Sequence, residues 1–332
     1  MAELFDDLIG QPLAVRLLEA ALRQRRLAPA YLFSGPEGVG RRLAALRFLE
    51  GVLAPAPSAL SGEAGLRRRL AQGNHPDLLW VEPTYSHQGQ LVPLSRAEEE
   101  GVPRRTPPQL RLEQVRELSA FLGRRPVEAE RTLVVLEGAE AMAEAAANAL
   151  LKTLEEPGDG LILLISAAPD QLLSTIRSRC QQIPFRRLSP PEVEQVLASL
   201  PAESSADEAP AGAAADPPEL AELAAGSPGG LLQHRRQWRG LSEGLAARLL
   251  ELGPDPIEAL DLARDLSEEL DGVQQQWLID WLQLALWRRR GQSWELRRLE
   301  RLRGQLRSHV QPRLAWEVAL LDLSGGLAGA RG

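Results

Sequence analysis

The segment that most constrains this chain is a turn with three glycines, Ser34-Gly35-Pro36-Glu37-Gly38-Val39-Gly40-Arg41-Arg42, set between the apolar run Tyr31-Leu32-Phe33 and a helix-patterned stretch from about Gly40 to Val52. A buried strand that breaks at a glycine and turns directly into a helix is the setting in which backbone N–H groups cradle phosphate, and the interval from Gly35 to Gly40 has the spacing of such a loop. The chemistry of a working loop then requires a lysine reaching the outer phosphates and a Ser or Thr whose hydroxyl holds magnesium. Arg41 and Arg42 occupy those two places. Arginine keeps the charge, but its planar fork is wider than a compact ammonium, and Arg42 has no oxygen for a metal. The segment therefore predicts the fold of a phosphate loop with a damaged site. A glycine-rich turn without ligand and residual binding of nucleotide or phosphate both stay open.

The surrounding pattern supplies the rest of an α/β domain. Apolar positions Leu13, Leu17, Leu18, Ala21 and Leu22 recur at helical spacing between Leu4 and Arg26. Leu78 to Val81 reads as a second strand, followed by a helix from Arg111 to Leu122, a strand from Thr132 to Leu136, a helix from about Glu140 to Leu154 and a strand from Leu161 to Ser166. Strands alternating with helices predict a parallel sheet. Thr84 to Pro108 is polar, Pro-bearing and weakly periodic, and reads as an extended surface insertion of no assigned role. Beyond Phe185 only helical patterns follow.

At 332 residues the chain exceeds what one hydrophobic core usually organises. The expected division is an α/β phosphate-loop domain over 1–187, a small helical lid over 188–235 and a C-terminal all-α domain over 236–332. The lid carries a disordered insertion at about 201–218, rich in Ala, Pro and acidic residues. Six of the seven tryptophans lie beyond that insertion, and Trp277, Trp281, Trp287 and Trp294, spaced among leucines, are expected to be core residues.

Charge and cysteine content narrow the function classes. A net charge of -7 gives no overall basic field for nucleic acid. The single cysteine, Cys180, excludes an internal disulfide and any multi-cysteine zinc site within the chain. The N-terminus is acidic and no 18-residue apolar stretch occurs, so a soluble cytoplasmic protein is expected. All basic residues except Lys152 are arginine, a bias that composition alone could place at Arg41. The run Arg288-Arg289-Arg290 with Arg297, Arg298, Arg301 and Arg303 is expected to be a solvated face, with acidic neighbours or DNA as the weaker readings. His75 has no companion ligand in sequence and is expected to be structural.

A second catalytic element is also altered. In a phosphate-loop ATPase the strand over 133–136 should end in two acids, one organising magnesium and one orienting the attacking water. Here it ends in Glu137-Gly138, and Gly138 has no side chain to polarise water.

Asn148-Ala149-Leu150-Leu151-Lys152-Thr153-Leu154-Glu155-Glu156-Pro157, Thr175-Ile176-Arg177-Ser178-Arg179-Cys180, Asn74-His75-Pro76-Asp77 and the altered loop together resemble the bacterial clamp-loader family of AAA+ proteins. The resemblance covers about residues 5 to 185; beyond that it rests on Gly226-Ser227-Pro228-Gly229 and overall length. It implies that Arg179, flanked by the motif residues Ser178 and Cys180, reaches into the ATP site of an adjacent subunit as an arginine finger, with capping a helix or pairing with an acid as the plainer alternative. It further implies that two polar sensors of a motor subunit are replaced here by Ala167 and Gly229. With Gly35, Gly38, Gly40, Arg41, Arg42 and Glu137 as a degenerate nucleotide site, the implied role is a stator without catalytic activity of its own. Its implied partners are the gamma/tau motor subunits and the delta subunit, and, through the assembly, the sliding clamp and primed DNA. No cofactor is then required, ATP being bound by the neighbours. The C-terminal domain would join a collar of subunits. Relatives with a four-cysteine zinc module between the loop and the second strand are not matched, since no cysteine precedes Cys180, and no metal site is expected. Two other readings remain: a weakly active ATPase motor subunit relying on Arg41 and Glu137, and an AAA+-like scaffold outside replication.

Overall fold

The computed structural model describes residues 2–24, 26–53, 64–102, 106–156, 158–200, 216–308 and 310–329. The chain divides into two compact units, one of residues 1–199 with 226–229 and one of residues 200–225 with 230–332.

The first unit runs α1 (Pro12–Arg23), β1 (Ala30–Ser34), α2 (Arg41–Leu53), α3 (Ala64–Ala71), β2 (Leu78–Val81), β3 (Thr84–His87), β4 (Gln90–Pro93), α4 (Leu112–Leu122), β5 (Leu133–Glu137), α5 (Glu144–Glu155), β6 (Leu161–Ser166), α6 (Ser174–Arg177), β7 (Gln181–Pro184) and α7 (Pro190–Ser199). Five strands form a parallel sheet in the order β2-β5-β6-β1-β7. Every residue of β1 and β6 is buried, as the continuous apolar composition of a strand covered on both faces requires. Alternate side chains feed two cores. Tyr31, Phe33, Leu133, Val135, Leu161 and Leu163 pack with Phe48 and Leu49 of α2, whereas Leu32, Val134, Leu136, Ile162 and Leu164 pack with α4 and α5. The registers Ser34↔Ser166 and Glu137↔Ile165 bring the carboxyl ends of β1, β6 and β5 side by side, the place where open α/β sheets bind ligands.

Several expectations need correction. Helix α1 starts only at Pro12, a residue suited to a first helical turn, after a separate 3-10 turn over Ala2–Phe5. The helix expected from about Glu140 begins at Glu144, because the left-handed Gly138 leads first into a 3-10 turn at Ala139–Ala141. Strand β7 had no strand-like signal in the sequence. It is a four-residue edge strand with two exposed glutamines and a terminal proline, tolerated where one edge stays unpaired. Residues 84–108 are not simply extended. Strands β3 and β4 form a hairpin turned by Gln88 and Gly89, both at positive φ, and Tyr85, Val92, Ala97 and Val102 make a small core of their own. Reciprocal backbone bonds between Thr84 and Gln109, at 2.9 and 3.0 Å, close the module.

The second unit is helical: α8 (Pro218–Ala224), α9 (Pro228–Arg239), of which the first two residues count with the first unit, α10 (Leu245–Glu251), α11 (Pro256–Glu269), α12 (Gly272–Arg290), α13 (Ser293–Arg307) and α14 (Pro312–Gly329). Asp255 and Asp271 cap α11 and α12 with their carboxylates. Trp277, Trp281 and Trp316 are buried, and the indole N–H groups of Trp316 and Trp277 donate to Gln275 and His234, each at 3.1 Å. Trp294 is half-buried. Trp287 departs from the expected core role, being 50% exposed near the end of α12. The expected insertion at 201–218 lies mostly outside the described residues, and its last residue, Pro218, opens α8. Among the described residues no helix is long and apolar enough to cross a membrane.

Candidate functional site

The glycine turn joins β1 to α2 as the sequence predicts, and packing demands its first glycine. Gly35 has φ 149°, and a Cβ there would lie 2.3 Å from the Phe185 carbonyl oxygen. The Gly35 N–H donates to Ser166 O at 3.2 Å, and the Phe185 N–H donates to Ser34 O at 2.7 Å, so the loop is rooted between β6 and β7.

The two arginines differ in surroundings. Arg41 is buried, 9% exposed, and its Nη1 has no hydrogen-bond partner. Burial lowers its pKa, opposed by the carboxylates of Glu140, Glu37 and Glu137. Arg42 turns instead to Glu137, pairing Nη1 with Oε2, and its guanidinium lies 4.5 Å from the centroid of the Trp80 ring. Trp80 Nε1 donates to the same Oε2 at 2.8 Å. The residue in the magnesium-ligand place and the acid at the end of β5 are thus joined to each other, with an indole closing one side. A metal at that position would have to displace this ion pair.

The other losses have steric counterparts. Gly138 has φ 63°, and a Cβ there would lie 2.8 Å from Pro83 Cγ, so a water-polarising side chain does not fit this backbone. At Ala167, whose methyl has no polar atom, the backbone N–H donates to Glu140 Oε1 at 3.0 Å; Glu140 Oε2 and Ser166 Oγ are buried without partners. Gly229 lies on the phosphate loop itself. Its N–H donates to Gly38 O at 3.0 Å, Ser227 Oγ donates to Glu37 O at 2.6 Å, and a Cβ on Gly229 would lie 2.7 Å from Gly38 Cα. An arginine at 229 is excluded unless the loop moves.

The second locus follows α6. Arg179 Nη1 donates to Thr175 O at 3.0 Å and Nη2 to Glu155 Oε1 at 2.8 Å, while 36% of the side chain remains exposed. Ser178 Oγ donates to Thr175 O at 3.1 Å. Arg177 is engaged by Asp170 at 2.7 Å. Cys180 is buried among the residues of the α4–α5 face, and burial pushes its thiol up to about 12, so it is a protonated packing group.

The Asn74–Asp77 motif has a role that sequence reasoning missed. Asp77 is 1% exposed and accepts the N–H groups of Val127, Glu128 and Ala129 at 2.6, 2.7 and 2.7 Å, pinning the loop ahead of β5. Burial alone would raise its carboxyl, but the three donors outweigh that and hold it below the usual carboxylate range. His75 is buried beside it, its Nδ1 accepting the Asp77 N–H at 3.2 Å, and burial followed by the Arg69 charge lowers its pKa. It acts within the fold, as expected.

The C-terminal basic run is less of a solvated face than expected. Arg288 pairs with Glu219 and Glu222, Arg290 with Glu295, Arg298 with Asp322, and Arg303 with Asp280. Arg289, Arg297 and Arg301 are exposed. Among the described residues no group of three or more His, Cys, Asp and Glu could hold a metal ion. The segment between α2 and β2, where the resemblance would place a zinc module, holds α3, residues 54–63 lying outside those described.

A parallel sheet with a strand–glycine loop–helix turn after β1, an acid at the end of β5 two strands away and the Ser178-Arg179-Cys180 triplet define an AAA+ protein of the clamp-loader type. The family model for DNA polymerase III, delta subunit, matches residues 10–189, and that for the cyanobacterial DNA polymerase III delta prime, C-terminal domain, matches residues 191–323. The chain belongs to this DNA polymerase III delta-subunit family. It is 36% identical over 261 residues to DNA polymerase III subunit delta′ of Pseudomonas aeruginosa, covering 76% of this chain and 69% of that protein. To subunit delta′ of Bacillus subtilis it is 34% identical over 194 residues, covering 56% and 51%, about half of that relative. A gamma subunit-related DNA polymerase III protein of Thermotoga maritima has the same fold, with a TM-score of 0.54 at 17% identity, covering 93% of this chain and 98% of that one.

Proposed function

We propose that this chain is the delta′-type stator of a bacterial clamp loader: it does not hydrolyse ATP, and it supplies Arg179 in trans to the ATP site of a neighbouring motor subunit. The observation that carries the reading is the contrast between two arginines. Arg42 pairs with Glu137 across the place where a motor subunit would hold magnesium, whereas Arg179, far from that place in sequence and bonded to Thr175 O and Glu155, keeps three donors and 36% of its side chain exposed. Charge developing on a transferring phosphoryl group needs stabilisation, and in other NTPases an arginine supplied this way contributes roughly 10³ to 10⁵ in rate.

In this reading the partners are gamma/tau motor subunits and a delta subunit, and the assembly, working in the cytoplasm, opens a sliding clamp and closes it on primed DNA. The chain needs no cofactor or zinc of its own. Residues 188–235 serve as lid and 236–332 as collar. Reconstitution tests the whole proposal. The chain alone should show no ATP turnover, and adding it to gamma/tau and delta should raise turnover stimulated by clamp and primed DNA. Turnover by the isolated chain would favour the weakly active motor, which the Arg42–Glu137 pair opposes. Failure to co-purify with those subunits would favour a scaffold outside replication.

A further inference from the structure

Glu155 ends α5, and Arg179 lies two residues past α6; the two meet at 2.8 Å between Oε1 and Nη2. Both side chains are well exposed, at 53% and 36%, so the pair adds little to stability. What it does is geometric. The guanidinium is held at both ends, by a carboxylate from α5 and by the Thr175 carbonyl of α6, two elements whose backbones are fixed by packing. Of the five N–H donors of an arginine, two bonds of this kind use two and leave three. Arg177 does not compete for Glu155, since Asp170 holds it, and the buried Cys180 anchors the backbone on the other side. A long side chain that must present a planar fork to an anion loses rotamer freedom when it does so, and a partner that fixes it beforehand removes part of that cost.

We infer that Glu155 is the positioning residue for Arg179: it orients the guanidinium so that its remaining donors face a phosphate group of a nucleotide held by the adjoining subunit. This inference rests on the finger reading above. The experiment uses the reconstituted loader with ATP, clamp and primed DNA, and compares Arg179→Ala, Glu155→Ala, Glu155→Gln and the Arg179→Ala/Glu155→Ala double variant. Glu155→Ala should lower kcat about two- to fivefold, the range an exposed ion pair allows, with KM for ATP unchanged. Glu155→Gln, which keeps an acceptor for Nη2, should recover part of that loss. In the Arg179→Ala background Glu155→Ala should add nothing. A kcat for Glu155→Ala equal to or above wild type, or a loss that persists without Arg179, overturns the inference. If Arg179→Ala costs turnover and Glu155→Ala does not, only the positioning role falls; if Arg179→Ala costs nothing, the finger reading falls and takes this one with it.

Discussion

Arg42 and Glu137 pair directly across the gap between the start of α2 and the end of β5, with Trp80 bonded to the same carboxylate oxygen and stacked against the guanidinium. A hydroxyl and an acid in those two places would share a magnesium ion. Here the cation between them is the chain's own guanidinium.

Restoring one residue should therefore not restore an enzyme. Arg42→Thr is expected to leave the isolated chain without ATPase activity in magnesium, because Gly138 and Ala167 still offer nothing to water or phosphate. The pair is partly exposed, so the accompanying loss of stability should stay within about 1 kcal/mol even with the indole contact included. Phosphate release and urea unfolding measure the two outcomes.

Gly229 is expected to tolerate no side chain. Gly229→Ala places a Cβ against Gly38 Cα at 2.7 Å, backbone against backbone, and should destabilise the first unit by about 1–3 kcal/mol. Gly229→Arg should do at least as much damage and gain no nucleotide affinity. Thermal unfolding of each variant, with and without ATP, checks this.

The buried Asp77 makes stability depend on acid. Its carboxyl is held below its unfolded value, so its contribution is complete above about pH 4, the ordinary carboxylate value, and is lost as the pH falls through the lowered folded value. Asp77→Ala strands three N–H groups and should cost about 2–4 kcal/mol at pH 7. Asp77→Asn should be milder and should flatten the dependence between pH 5 and 2, roughly the window in which a carboxylate of this kind titrates. Urea unfolding across that range separates the variants.

Cys180 should be inert in the folded chain. With its thiol near 12 and buried, a thiol-reactive chromophore at pH 8 is expected to label it only after denaturant is added. Rapid labelling of the native protein would contradict the packing role.

The sheet was legible in the sequence because its central strands are buried on both faces and read as unbroken apolar runs, as at Leu161–Ser166. The phosphate-loop turn was legible because its glycines punctuate the passage from an apolar strand to a helix, and Gly35, at φ 149°, sits in backbone that L side chains rarely adopt. Strand β7 was not, since an edge strand of two glutamines, an isoleucine and a proline carries no periodic signal. The β3–β4 hairpin was hidden in polar sequence, although Gln88-Gly89 between Tyr85 and Val92 was the turn signal available. At the site, the substitutions at Arg41, Arg42 and Gly138 were visible one residue at a time. Their consequences were not: Arg42 meeting Glu137, Glu155 meeting Arg179 and Asp77 meeting residues 127–129 are contacts across 95, 24 and up to 52 positions of chain, which no local pattern encodes.

The central claim is that Arg179 acts on a neighbour's ATP, and steady-state turnover of the reconstituted loader on clamp and primed DNA tests it most directly. With Arg179→Ala in this chain, assembly should be intact and turnover at the adjoining site should fall by roughly 10³ or more, as for arginine fingers supplied in trans elsewhere. Unchanged stimulated turnover in a fully assembled complex would contradict the account.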